Sequence, residues 1–125
     1  MKTIIRTEQA PQAIGPYSQA VRSGGFLFVS GQLPLDPATG AMPADIRAQT
    51  RQALENARQI LEAAGSGMDK VVKTTVLLSD MANFVPMNEV YAEFFPAGGY
   101  PARAAFQAAR LPKDALVEIE MIAEA

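Results

Sequence analysis

Leu116-Val117-Glu118-Ile119-Glu120-Met121-Ile122-Ala123 is the stretch that decides the fold. Apolar and acidic side chains alternate along it, and a β-strand sends successive side chains to opposite faces. Val117, Ile119, Met121 and Ala123 share one face, suited to packing under helices. Glu118 and Glu120 share the other, together with the apolar Leu116 and Ile122. A mixed second face of this kind is often covered by another subunit. The expectation is a homo-oligomer with a polar site between subunits.

The elements upstream complete the sheet and its helix layer. Phe26 to Gln32 (Phe-Leu-Phe-Val-Ser-Gly-Gln) is aromatic and β-branched, a strand. Thr3 to Ile5 and Ser18 to Arg22 are shorter extended candidates, with Gly24-Gly25 as a turn. Pro34 to Pro43 is a loop with three prolines. Ile46, Thr50, Ala53, Leu54, Ala57, Ile60, Leu61 and Ala64 recur at helical spacing, with Asp45 as the N-cap and Gly65 as the stop. Arg47, Arg51, Glu55, Arg58 and Glu62 read as the solvated face of that helix, joined by i,i+4 pairs. Lys70 to Ser79 is a strand. A second helix is expected from Asn83, as cap, to Phe95, with Phe84, Met87, Tyr91, Phe94 and Phe95 as its apolar stripe. On that stripe Tyr91 reads as core. Arg103 to Ala109 is a further strand before the final one. The order β-β-β-α-β-α-β-β gives an α+β fold over residues 1-125, a single domain whose mixed sheet carries two helices on one face.

Composition removes much chemistry. The chain has 125 residues and neither histidine nor cysteine, so no Ser-His-Asp triad, thiol nucleophile, disulfide or Cys/His zinc site is available. Its net charge is −2, with four lysines and seven dispersed arginines, which disfavours nucleic acid as a partner. No apolar run approaches the ~18 residues of a membrane span. Met1 to Gly15 is polar and has no apolar leader core, so a cytoplasmic location is expected. No carboxylate cluster has calcium- or magnesium-loop spacing, so no metal is expected.

Four constellations remain. Arg103 opens a strand after a Gly-Gly-Tyr-Pro loop, with small or neutral Ala105, Gln107 and Ala109 on its face. A guanidinium there suits bidentate capture of a carboxylate, or else a plain surface ion pair. Glu118 and Glu120 lie ~7 Å apart on one strand face. If partly buried they repel, and one rises toward the range of a general base; otherwise they are a solvated face. Gly15-Pro16-Tyr17-Ser18 sets an aromatic hydroxyl at a rigid turn, which walls a pocket or pins the N-terminal strand. Ser30-Gly31-Gln32 puts a glycine inside a strand, which marks a close approach or a β-bulge.

Taken together, these residues resemble the Rid family of enamine/imine deaminases, also called the YjgF family. The resemblance runs through Ala13-Ile14-Gly15-Pro16-Tyr17, Ser30-Gly31-Gln32, Lys73-Thr74-Thr75-Val76 and Asn88-Glu89-Val90-Tyr91. It is most specific from Pro101-Ala102-Arg103 through Leu111-Pro112-Lys113-Asp114 to Glu118-Ile119-Glu120. The resemblance implies a chorismate-mutase-like homotrimer with sites between subunits. It also implies cofactor-free hydrolysis of 2-aminoacrylate and related imines, released by pyridoxal-phosphate dehydratases, to 2-keto acids and ammonia. Arg103 would then pair with the substrate carboxylate and Glu118 would orient or deprotonate the attacking water. Tyr17, Ser30, Gly31 and Asn88 would line the pocket, with Gly31 and Ala105 offering backbone N–H groups. Many relatives carry Cys where Ala105 stands, and some carry Glu where Gln107 stands, so thiol chemistry is excluded here. Two other readings stand beside this one. A chorismate-mutase-like enzyme would need several cations around a dicarboxylate, and only Arg103 is well placed. A non-enzymatic module or chaperone that binds small carboxylates would be expected to lack Arg103 or Glu118.

Overall fold

The computed structural model describes residues 1–125. Six strands form one mixed sheet: β1 (Thr3–Ile5), β2 (Ala20–Ser23), β3 (Phe26–Gln32), β4 (Val71–Leu78), β5 (Ala102–Gln107) and β6 (Val117–Glu124), in the spatial order β1-β2-β3-β6-β4-β5. All neighbours are antiparallel except β4 and β5, which run parallel with α2 (Phe84–Tyr91) in the crossover. The other helix, α1 (Ile46–Ala63), connects β3 to β4. The last strand thus sits at the centre of the sheet, and β5 forms one edge.

The helix layer covers one face only. Val117, Ile119, Met121 and Ala123 of β6 are buried beneath it, with Leu27 and Val29 of β3 and Val76 and Leu78 of β4. From α1, Ala53, Leu54, Ala57, Ile60 and Leu61 fill the space above them. Each fully buried leucine or isoleucine contributes about 1.5–3 kcal/mol of transfer free energy. The opposite face is open. It presents Phe26, Phe28 and Phe106, each more than two-fifths exposed, around Ile122, Lys73, Glu118 and Glu120.

Several boundaries differ from the sequence reading, for local reasons. The second strand begins at Ala20 rather than Ser18, because the Ser18 carbonyl accepts the Ser30 hydroxyl. Lys70 closes a 3₁₀ turn over Met68–Lys70, and the strand starts at Val71. Helix α2 is shorter than expected, flanked by 3₁₀ turns at Met81–Asn83 and Ala92–Phe94. Asn83 makes no capping bond; the Asp80 carboxylate does, accepting the Ala82 N–H at 2.9 Å. Asp45 occupies the N-cap of α1 with no side-chain bond. Gly65 ends α1 as expected, at φ +80°: its N–H bonds the Glu62 carbonyl and that of Ser66 the Leu61 carbonyl, a Schellman closure. The α1 charges do not form i,i+4 pairs. Arg47 and Arg51 instead reach Glu89 and Glu93 at 2.6 and 3.1 Å, and Arg58 pairs with Glu55 one turn away. Strand β5 runs from Ala102 to Gln107, stopping two residues before Ala109. Strand β6 runs from Val117 to Glu124, with Leu116 outside it.

Candidate active site

Two groups of the expected site residues lie on opposite faces of the sheet. The first is on the open face. Tyr17, Ser30, Gly31 and Glu118 line a cleft of about 490 Å³, together with Gln19, Gln32, Lys113 and Glu120. Its floor is set by an irregularity in β3: the pairing with β6 shifts between Val29 and Gln32, so Ser30 and Gly31 form a bulge. Ser30 is tied back by its N–H to the Gln19 carbonyl at 3.0 Å and by its hydroxyl to the Ser18 carbonyl at 2.5 Å. The Tyr17 loop is held by Gln19, whose buried amide donates to the carbonyls of Thr7 and Pro11 and accepts the Thr7 N–H.

Gly31 is both bulged and closely approached, and what approaches it is Glu118. A Cβ at position 31 would stand 2.4 Å from a Glu118 carboxylate oxygen. Burial against this floor pushes the Glu118 carboxyl above its ordinary range, and the neighbouring Glu120 charge adds to the shift. Glu118 is half-buried and Glu120 exposed, so the environment separates two residues that the spacing alone leaves equivalent.

The second group lies on the helix side, at the free edge of β5. The Arg103 guanidinium stands 4.9 Å from the Tyr91 ring centroid and 5.4 Å from that of Phe84, and donates to Asn88 Oδ1 at 2.7 Å. Ala105 follows on the same side, against the core, and Gln107 accepts the Met81 N–H through its side chain. The Ala108 N–H bonds the Leu78 carbonyl of β4, so strand alternation turns the N–H groups of Arg103 and Ala105 toward the unpaired edge.

Within one chain the two groups do not meet. Glu118 aligns with Leu77 and hence with Phe106, three positions along β5 from Arg103. That is about 10 Å along the strands and about 10 Å across two of them. The side chains also leave opposite faces.

Residues 7–125 match the family described as Endoribonuclease L-PSP. The chain belongs to this family, known also as the YjgF or Rid family. A RutC family protein of Pyrococcus horikoshii is 57% identical over 124 residues, covering 98% of each chain. The 2-iminobutanoate/2-iminopropanoate deaminase of Escherichia coli is 48% identical over 125 residues, again covering 98% of each. Among solved structures, E. coli TdcF with bound serine superimposes with a TM-score of 0.93 at 46% identity, covering 98% of each chain.

In this Rid-family chain the sequence reading left out four residues that shape the two groups. Gln19 is a buried amide in a loop, and no periodicity marks it. Lys113 lies in the Leu111-Pro112-Lys113-Asp114 match but received no role; it and Asp114 adopt φ values of 58° and 56°, which turn the loop onto the cleft. Phe84 and Tyr91 read as core, and Tyr91 is core, only 5% exposed, yet both rings also face Arg103. No helix of the chain is long and apolar enough to cross a membrane, and no His/Cys/Asp/Glu group is arranged to hold a metal ion.

The Gly31–Glu118 contact gives a direct expectation. Gly31→Ala leaves the fold intact, because what a Cβ meets is the end of a side chain rather than backbone. The carboxylate must move by roughly 1 Å, and misplacement of that size costs on the order of 10²-fold in rate. If Glu118 serves the chemistry of this cleft, a folded Gly31→Ala protein should lose activity by that factor, and unchanged kcat/KM would contradict such a role for Glu118.

Proposed function

We propose that this protein is a cofactor-free hydrolytic deaminase of small 2-imino acids and their enamine tautomers, such as 2-aminoacrylate. The observation that carries the reading is the division of the site: a clamped guanidinium at one sheet edge and a half-buried, proton-hungry carboxylate on the open face. Each is the complement of the other for a substrate that has a carboxylate beside an electrophilic carbon. Neither group suffices alone, so the reading requires a homotrimer in which β5 of one subunit meets the open face of the next. The three exposed phenylalanines on that face give the assembly an apolar surface to bury.

In the assembled site Arg103 holds the substrate carboxylate in a two-pronged bond, with the Ala105 and Gly31 N–H groups beside it. Tyr17, Ser30 and Asn88 complete the walls. Glu118 accepts a proton from water as the water oxygen bonds to C2 and the C=N π electrons move to nitrogen. Glu118 returns that proton to the nitrogen, giving the carbinolamine. It then passes the C2 hydroxyl proton to the same nitrogen as the C–N bond breaks and ammonia leaves, which yields the 2-keto acid and the starting state of Glu118. The hydrolysis is redox-neutral, and in this reading Arg103 supplies the charge for binding and Glu118 the proton transfer, so it calls on neither a metal nor an organic cofactor. Imines already hydrolyse in water, so positioning and one general base supply the acceleration needed. The similarity to a 2-iminobutanoate/2-iminopropanoate deaminase, and to a structure holding serine, supports a small amino-acid-like substrate. A pyridoxal-phosphate dehydratase is the class of enzyme that releases such imines, and a soluble cytoplasmic setting fits that supply. The family description names an endoribonuclease, but the cleft is acidic at Glu118 and Glu120 and the chain has no histidine for RNA hydrolysis.

The test couples a serine/threonine dehydratase or an amino-acid oxidase to this protein and times loss of imine against formation of keto acid. Faster conversion, indifferent to EDTA, is the expected result. A rate equal to the control without protein, across several imines, would sink the enzyme reading in favour of a carboxylate-binding module. Light scattering is expected to give a mass near three times 13.4 kDa. A monomer at micromolar concentration would remove the shared site.

A further inference from the structure

Arg103 belongs to an edge strand and is exposed, yet its guanidinium is held in one place. A side chain with four torsions at a sheet edge has no reason to stay there unless something defines its plane. Three contacts do. Asn88 takes one N–H, and the Phe84 and Tyr91 rings lie against the guanidinium. Phe84 is partly buried near the start of α2, whereas Tyr91 is fixed from below. Its hydroxyl bonds the Thr74 hydroxyl at 2.6 Å, and its ring packs on Phe95 with centroids 4.8 Å apart. Thr74 is fully buried on β4 and is the register partner of Arg103 in the parallel pairing. The line Thr74–Tyr91–Arg103 therefore ties β4, α2 and β5 together at one point.

We propose that Tyr91, keyed by Thr74, is a positioning residue that sets the plane of the Arg103 guanidinium for carboxylate capture. The inference rests on the function proposed above. Tyr91 touches no substrate atom; it acts through Arg103. A phenol is suited to this because its ring face attracts the cation while its hydroxyl finds a partner inside the core. Asn88 occupies one edge of the fork and leaves the remaining N–H donors for the substrate.

The experiment compares Tyr91→Phe, Tyr91→Leu and Thr74→Val with wild type in three measurements. The first is the Arg103 side-chain NεH resonance, which does not depend on activity. In wild type the Tyr91 ring at 4.9 Å and the Phe84 ring at 5.4 Å are expected to shift it upfield; Tyr91→Leu should remove the larger part of that shift, leaving what Phe84 supplies, and Thr74→Val should reduce it. The second is the Kd of pyruvate by calorimetry, expected to weaken about 10-fold in Tyr91→Leu and about two- to fivefold in Thr74→Val and Tyr91→Phe. The third is the kinetic split: KM for the imine rises in step with that Kd, while kcat stays within about threefold of wild type. A purely structural Tyr91 would lower Tm and the active fraction, reducing apparent kcat at unchanged KM, and that pattern overturns the proposal. If Tyr91→Leu fails to fold, Thr74→Val and Tyr91→Phe decide it: wild-type Kd and KM in both overturn it. If wild-type protein binds no pyruvate and turns over no imine, the functional reading fails and this inference falls with it. An upfield Arg103 resonance alone would then record a structural contact.

Discussion

Glu118→Gln is expected to lower kcat by about 10²-fold or more while leaving 2-keto acid binding in place. The amide keeps the shape and hydrogen bonding of the carboxylate but cannot take the proton from water. The pH profile carries the same information. Burial first, and Glu120 second, hold the Glu118 carboxyl above its ordinary range. The base is lost as pH falls through that raised value, so the acid limb of kcat lies above the usual carboxylate range, and Glu118→Gln lacks it. Glu120→Gln should keep most of kcat and move the acid limb to lower pH, because it removes one of the two causes of the shift. A folded Glu120→Gln more damaged than Glu118→Gln would reverse the assignment of the two carboxylates. Stability moves the other way. A carboxyl whose pKa is raised on folding binds its proton more tightly in the native state. Its contribution is therefore favourable at low pH and is lost as pH climbs through the raised value. At neutral pH the ionised Glu118 costs stability, so Glu118→Gln should melt higher than wild type, the difference shrinking in acid. A lower Tm at neutral pH would show that the charge is compensated.

Arg103→Lys is the second large effect. The ammonium keeps the charge but loses the planar fork, the stacking on Tyr91 and the geometry of the Asn88 bond. Losing a charge-assisted pair of hydrogen bonds costs about 1.5–3 kcal/mol, or about 10- to 100-fold in kcat/KM. Pyruvate binding should weaken in parallel, in contrast to Glu118→Gln. Wild-type pyruvate affinity in Arg103→Lys would remove Arg103 as the carboxylate anchor. The two variants also test the division of the site. Refolded together in equal amounts, trimers built from Arg103→Lys and Glu118→Gln chains regain intact sites wherever a native Arg103 faces a native Glu118. If each site of the proposed trimer draws one residue from each of two neighbours, random mixing should restore about a quarter of wild-type activity. Activity no higher than the mean of the parents, in trimers of unchanged mass, would show that the residues act within one chain.

The sequence by itself determined the layers and their sidedness. Period-two alternation from Val117 to Ala123 and 3.6-residue spacing from Ile46 to Leu61 assign each apolar side chain to one face, because a strand and a helix have no other way to segregate them. It also supplied the chemical types, a guanidinium and a carboxylate fifteen positions apart with no histidine or cysteine to compete. It could not say that Arg103 and Glu118 leave opposite faces. That depends on the parity of each strand in its register and on β6 pairing between β3 and β4, which brings together residues far apart in the chain. Nor could spacing choose between Glu118 and Glu120. Desolvation separates them, and the bulge at Ser30-Gly31, 88 and 87 positions upstream of Glu118, produces it. The loop-sealing amides of Gln19, Gln49 and Asn56 are likewise invisible in a hydropathy pattern, because a buried polar side chain is recognised only by the carbonyls it meets. Tyr91 shows the same limit in the helix. Its place on the apolar stripe follows from periodicity, but its ring face becomes a seat for a cation only when β5 returns alongside β4 and sets Arg103 against it.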